Sequence, residues 1–380
     1  MKRTLLLTIF ALFYIVVYAQ RTGADEVFKG RCTIKDGDVT GTYEGEMFRG
    51  KPNGKGKAVY ANGNTYVGFW LKGKREGDGK MTFADGDVYE GSWMGGAQHG
   101  KGKLQYKNGN VYDGLWYRDV QQGHGVMLYH NGDKYEGDWV RDHRDGTGIY
   151  VYHDGSYYKG SWKNDEKSGN GEFHWSDGSY YKGEWLNNKR NGKGEFHYAS
   201  GDVYIGLWLN DKQNGRGIYK FANGDRFEGD YRDGKRTGTG IFTSVNGDRY
   251  SGQFVNGNRE GHGEFHMKNG DIYDGEWKGD KLNGRCLLTT LKGNRFEGMF
   301  KDGKPNGLCV AYYSDGSKFR GSYVDGQKHG KCVEEDSKGC RFEGSYVNDV
   351  RDGDFVEMDS DGKVIAKGTY QQGKRIINNN

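Results

Sequence analysis

The chain has 380 residues, of which 34% are hydrophobic, with 67 Gly and only 2 Pro, a combination that fits neither a collagen-like chain nor a Pro-rich linker. The 56 basic and 52 acidic residues leave a net charge of +4 and are interspersed throughout, which excludes the coherent basic face that strong nucleic-acid binding needs. The 28 Tyr, 18 Phe and 9 Trp supply ample buriable surface, so many short strands and turns are expected rather than disorder.

In chain order, residues 1–19 come first and differ from the rest of the chain. Lys2 and Arg3 precede an apolar run from Leu5 to Ala19, and Val17-Tyr18-Ala19 offers the small or apolar residues of a cleavage site. The segment reads as a signal peptide, cleaved after Ala19, in preference to a signal anchor, because about fifteen apolar residues fall short of the roughly 20 that a spanning helix needs. The expected location is the secretory pathway, secreted or membrane-anchored through this segment. The lack of any Asn-x-Ser/Thr acceptor counts mildly against passage through a glycosylating compartment. Residues 20–42 are expected to form an N-terminal cap, with Phe28-Lys29-Gly30 as a degenerate strand.

From residue 43 to 364 the chain repeats. Tyr43, Tyr66, Tyr89, Tyr112, Tyr135, Tyr158, Tyr181, Tyr204, Phe227, Tyr250, Tyr273, Phe296, Phe319 and Phe342 recur at an interval of 23 residues with no insertion or deletion. With that aromatic as position 1, Gly occupies positions 3, 12 and 21 of every repeat, and position 5 is aromatic in all but the first, where Met47 stands. Asn62-Gly63, Asp85-Gly86 and Asn108-Gly109 mark hairpin turns at positions 19–21. A three-residue loop ending on a left-handed Gly pairs position 18 with 22, 16 with the next 1, and 14 with the next 3. Phe196 then lies beside Tyr204, and Gly194 opposite Gly206. The facing glycines leave a bare strip into which a position 5 Trp of a neighbouring repeat is expected to pack. The fold class is therefore all-β: an elongated antiparallel array of about fourteen tandem β-hairpin repeats, each touching mainly its neighbours. Residues 365–380 read as a C-terminal cap and tail, with Lys367-Gly368-Thr369-Tyr370 a slipped half-repeat.

The pattern Tyr-x-Gly-x-Trp, Gly-x-Gly seven residues on, then an aromatic and Asn/Asp-Gly, resembles the MORN (membrane occupation and recognition nexus) repeat. The resemblance implies a scaffold or membrane-tethering role through protein–protein interaction, sometimes with phospholipid binding. Catalytic domains that accompany such arrays elsewhere are separate from them, and residues 20–42 and 365–380 are too short to be one. No enzyme activity, cofactor, catalytic residue or metal site is expected.

The remaining candidates read as structure. Gly-x-Gly strings such as Gly54-Lys55-Gly56 precede strands, which disqualifies them as nucleotide loops. His174, His197 and His266 share position 17 at a spacing of roughly 10 Å, too wide for a shared metal, and read as outward polar residues. Cys286, Cys309 and Cys332 replace the position 14 Gly about 9.6 Å apart, beyond bridging distance. Cys32 and Cys340 are left for cross-linking between chains. Glu44 and Glu46 read as solvated strand positions. Basic residues at positions 9, 10 and 13, such as Lys74-Arg75, Lys189-Arg190 with Lys193, and Lys235-Arg236, are placed in a loop along one edge, where they form the alternative function: contact with acidic phospholipids. Gln98, Val120, Glu166 and Leu282 interrupt that stripe. Protein partners are expected, and an exposed end strand offers a route to a homodimer.

Overall fold

A computed structural model describes residues 26–377, within which every regular element is a strand. The chain divides into two compact units, Met1–His153 and Asp154–Asn380, both built as antiparallel meanders of sequential hairpins.

One repeat of the second unit shows the construction. Tyr180–Leu186 pairs back to Glu166–His174 and forward to Lys189–His197, so each repeat supplies two strands. The first turn is the one marked in the sequence. Tyr198 N donates to Asp202 O at 2.9 Å and Gly201 N to Tyr198 O at 2.9 Å, closing a three-residue loop in which Gly201 has φ +92°. The pairs Phe196↔Tyr204 and Gly194↔Gly206 extend from it, in the register expected from the sequence.

The second turn, at positions 7 and 8, was missing from the expected pattern, although Asp233-Gly234, Asn256-Gly257, Asp302-Gly303 and Asp325-Gly326 mark it there. Leu186↔Lys189 closes a two-residue hairpin whose Asn187 and Asn188 have φ +48° and +67°. Both central residues are left-handed, as a type I′ turn requires, and Asn tolerates this conformation better than most residues. Positions 9, 10 and 13 therefore lie in a strand, Lys189–His197, and not in a loop. The register then shifts between Gly183 and Trp185, so Gly183 faces Gly194 while Trp185 faces Arg190. Gly192, at position 12, absorbs the irregularity with φ +98°.

The core face carries positions 1, 3, 5, 14 and 16. Tyr181 is fully buried and Trp185 is 5% exposed. The Tyr181 ring lies over the glycine pair of its own repeat: a Cβ on Gly183 would sit 2.5 Å from the Tyr181 hydroxyl, and one on Gly194 would collide with the same ring. The expected occupant of that strip, a neighbouring Trp, lies instead between tyrosines. Trp185 meets Tyr181 and Tyr158 edge-on, with centroids at 5.2 and 5.4 Å, and its Nε1–H donates to Gly171 O at 3.2 Å. The hydroxyl of Tyr181 donates to Glu184 O at 3.1 Å. The same alternation of position 1 and position 5 rings runs through the first unit from Tyr43 to Trp139, each edge-to-face pair contributing roughly 0.5–1.5 kcal/mol beyond its buried area.

The ends depart from the repeat. Phe28–Asp36 pairs with Val39–Phe48 through a two-residue turn, matching Gly30 with Gly45. In the last repeat, two short strands, Val350–Arg351 and Gly353–Met358, replace one, and Phe355 stands at position 14. Phe355 pairs with Gly368, one residue beyond the regular partner, after a register shift at Glu357/Met358. The signal segment expected at residues 1–19 lies outside the described residues. Among the described residues no helix is long and apolar enough to cross a membrane.

Candidate functional site

Positions 16 and 18 lie just before the three-residue turn and project onto the core face beside the buried ladder. In the second unit they form a continuous run of rings. Phe173 and Trp175 lie 4.4 Å apart, Trp175 and Phe196 5.2 Å, Phe196 and Tyr198 4.3 Å, Tyr198 and Tyr219 5.9 Å, Tyr219 and Phe221 4.6 Å, and Phe221 and Phe242 6.2 Å. Phe173 and Phe196 are buried, whereas Trp175, Tyr198, Tyr219, Phe221 and Phe242 are only partly covered. The first unit carries a shorter run, Tyr129, Tyr150 and Tyr152, at 5.7 and 4.6 Å. This trough is a connected aromatic surface that the second unit leaves partly open. It was not among the candidates read from the sequence, although the recurring position 18 aromatics were a visible signal.

The basic positions fall into two classes, which corrects the expectation of one basic loop edge. Position 10 points into the core face. Arg190 has its guanidinium 4.4 Å above the Trp208 ring and 5.1 Å from Phe196, and its side chain is 19% exposed. Its Nε donates to Asp211 Oδ1 at 3.1 Å and its second nitrogen to Asp211 O at 2.9 Å. Arg75 over Trp93 and Arg259 over Trp277 repeat this at 4.6 and 4.3 Å. Position 9 differs: Lys189, Lys212 and Lys235, in three successive repeats, are exposed.

On the opposite face the position 17 histidines are half-exposed, as an outward polar site should be, but His174 and His197 are also stacked. Tyr157, His174, Tyr180 and His197 succeed one another at 4.5, 5.2 and 4.2 Å with nearly parallel rings, so a tyrosine separates the two histidines. His197 Nε2 meets Glu195 Oε1 at 2.5 Å, and His266 meets Glu264 at 2.6 Å. No group of three or more His, Cys, Asp or Glu is placed to hold a metal among the described residues.

Cys286, Cys309 and Cys332 are buried free thiols, and burial pushes the thiols of Cys286 and Cys332 up to about 12 and about 11, away from thiolate chemistry. Cys32 and Cys340 are partly exposed free thiols. Glu44 pairs with Arg31, and Glu46 accepts from Lys55 N at 2.9 Å. Gly54 and Gly56 of the Gly-x-Gly string lie in the strand Lys51–Tyr60. At the C-terminal end, positions 16 and 18 turn acidic: Glu334 is held by Arg351 at 2.5 Å and by the Tyr346 hydroxyl at 2.6 Å.

These elements define a repeat protein of tandem two-strand hairpins with a periodic aromatic face. The MORN repeat family model matches thirteen consecutive segments, from residues 43–65 to 319–341, and the chain belongs to that family. The irregular repeat beginning at Phe342 falls outside the match. No curated protein matches the chain. Among solved structures it is similar to the SAS-4 (dCPAP) TCP domain of Drosophila melanogaster in complex with a proline-rich motif of Ana2 (dSTIL), at 17% identity and a TM-score of 0.28, covering 47% of this chain and 90% of that one. It is also similar to the wild-type TCP10 domain of Danio rerio CPAP, at 12% identity and a TM-score of 0.17, covering 77% and 99%. A catalytically inactive virginiamycin B lyase from Staphylococcus aureus with quinupristin shows 10% identity and a TM-score of 0.13, covering 82% and 97%. At TM-scores this low the likeness bears on neither the activity nor the partners of this chain.

Proposed function

We propose that this chain is a non-enzymatic scaffold that joins protein partners in the secretory pathway. The observation that carries the reading is the open aromatic run from Trp175 to Phe242. Partly covered Trp and Tyr rings are the side chains that dominate protein recognition, since they bring large contact area with few rotatable bonds. In-cell cross-linking and identification of the linked peptides test the scaffold role. Defined partners mapped to the trough are expected, and a chain that links to nothing reproducibly would exclude it. Intact mass with N-terminal sequencing of the protein from its own cells tests the location: a chain beginning at Gln20 supports secretory processing, and one retaining Met1 to Ala19 supports a membrane anchor.

A second reading rests on Lys189, Lys212 and Lys235, three exposed lysines in register at the two-residue-turn edge. Each lysine near an anionic surface contributes about 1 kcal/mol. Phospholipid contact of this kind predicts binding to vesicles containing phosphatidylserine that weakens steeply with salt and is abolished by the triple change Lys189→Glu, Lys212→Glu and Lys235→Glu.

A further inference from the structure

The trough has a period, and the period selects a ligand conformation. Successive position 18 rings, Trp175, Tyr198 and Phe221, are one repeat apart, and two strands at the usual separation give roughly 9.6 Å per repeat. A polyproline II helix advances three residues in about 9.3 Å and presents the same face once per turn. A peptide in that conformation, lying along the trough, would place every third residue against an equivalent ring pair. Other conformations do not keep step: an α-helix advances about 5.4 Å per turn and an extended strand about 6.6 Å per two residues.

The polar groups suit the same ligand. A polyproline II segment has no internal hydrogen bonds, so its carbonyls seek donors. The Tyr198 hydroxyl accepts from Gln213 Nε2 at 3.2 Å, which leaves its own proton to give. The Trp175 indole N–H has no hydrogen-bond acceptor among the described residues. The charge of the nearer rim is one-sided. Positions 18–22 of the four repeats starting at Tyr158, Tyr181, Tyr204 and Phe227 contain Asp177, Asp202, Asp225 and Asp248 and no Lys or Arg. The Asp202 carboxyl is held below the usual carboxylate range by the Ala222 backbone N–H and the Tyr219 hydroxyl, the latter at 2.9 Å, which joins the rim directly to the trough. Asp225 is held low in the same way, first by the Val245 backbone N–H. The far edge is mixed, with Arg190 on Asp211 and Lys212 facing Asp233.

We infer that the trough over Trp175, Phe196, Tyr198, Tyr219, Phe221 and Phe242 binds a basic, proline-rich segment of a partner protein in the polyproline II conformation, with prolines at every third residue. The inference rests on the scaffold reading and names its ligand class. The test is fluorescence anisotropy of the full-length chain with three labelled synthetic peptides. One has prolines at every third residue with lysines between them, one has the same composition with prolines at every fourth residue, and one replaces lysine by glutamate. Saturable binding of the first is expected, with the second at least tenfold weaker and the third without binding. Tyr198→Phe, which keeps the ring and the fold, is expected to weaken the first peptide about fivefold through the lost hydrogen bond, and Phe221→Ala to weaken it further. Equal binding at the two spacings, no binding of the first peptide, or indifference to both substitutions overturns the inference. Peptide failure while cross-linked partners still map to the trough removes this inference alone; loss of those partners as well removes the scaffold reading too.

Discussion

Gly194 shows how one residue is held by its surroundings. The buried Tyr181 ring occupies the space its Cβ would need, so Gly194→Ala is expected to cost about 1–3 kcal/mol by overpacking, measured as lost amide protection in the strand Lys189–His197. The C-terminal repeats show the compensation. Where Cys309 and Cys332 stand at position 14, position 1 is Phe296 or Phe319, which lack the hydroxyl, and where Cys286 meets Tyr273, that ring has left the buried ladder. Gly194→Cys combined with Tyr181→Phe is therefore expected to recover part of the loss from Gly194→Cys alone. Arg190 carries a second residue-level expectation. Its guanidinium is committed to Trp208 and Asp211, so Arg190→Ala lowers stability by about 1–2 kcal/mol in urea titration and leaves vesicle binding unchanged.

At the scale of the element, two turns alternate and are stitched to the next repeat by different side chains. Across the three-residue turns the position 22 side chain accepts a backbone N–H one repeat on: Asp202 from Ala222 and Asp225 from Val245, at 2.7 and 2.8 Å. At the two-residue turns the position 8 side chain does so one repeat back, Asn188 from Lys167 and Asp211 from Arg190, at 2.9 and 3.0 Å. The position 8 backbone N–H ties back as well, whatever the residue: Asn188 donates to Lys167 O at 3.0 Å and Gly234 to Gln213 O at 2.9 Å. Asn188→Gly therefore loses the side-chain tie, keeps the backbone one and relieves the left-handed strain, with a change expected within about 0.5 kcal/mol because the two effects offset. Asn188→Ala loses the tie and keeps the strain, and is expected to cost about 1–2 kcal/mol in the same titration.

At the scale of the whole molecule the contacts are local and periodic, so removal of one complete period preserves every register. Deletion of residues 204–226 is expected to leave a folded chain with strand-type circular dichroism, whereas deletion of residues 204–215 joins mismatched positions and loses that signal. Tyr250 of the ladder and Tyr106 at position 18 set the alkaline limit. A tyrosine is neutral while protonated, and burial raises Tyr106 and Tyr250 from the ordinary 10.0 to about 12. Each contributes stability in full below pH 10, and that contribution is lost as the pH rises toward 12. Phenolate absorbance and strand content are expected to change together in that window, and phenolate formation without unfolding would show that the rings are not sealed.

The amino-acid sequence by itself determined the period, the three-residue turn and the pairing of Phe196 with Tyr204. An invariant Gly at position 21, after Asn or Asp in most repeats and after Ser200 in this one, fixes the loop, and strict two-residue alternation fixes the register of the strands on either side of it. The second turn was also legible, as Asp233-Gly234, Asn256-Gly257, Asp302-Gly303 and Asp325-Gly326 at positions 7–8, but it went unread because the strand after it, such as Lys189 to Lys193, is polar and carries no alternation to count. Only the tertiary structure decided that position 10 turns inward over a ring, that Tyr181 and not a neighbouring Trp covers the glycines, and that positions 16 and 18 merge into one trough. Those outcomes depend on which side chains meet across adjacent repeats, and a pattern read along one strand does not contain that information.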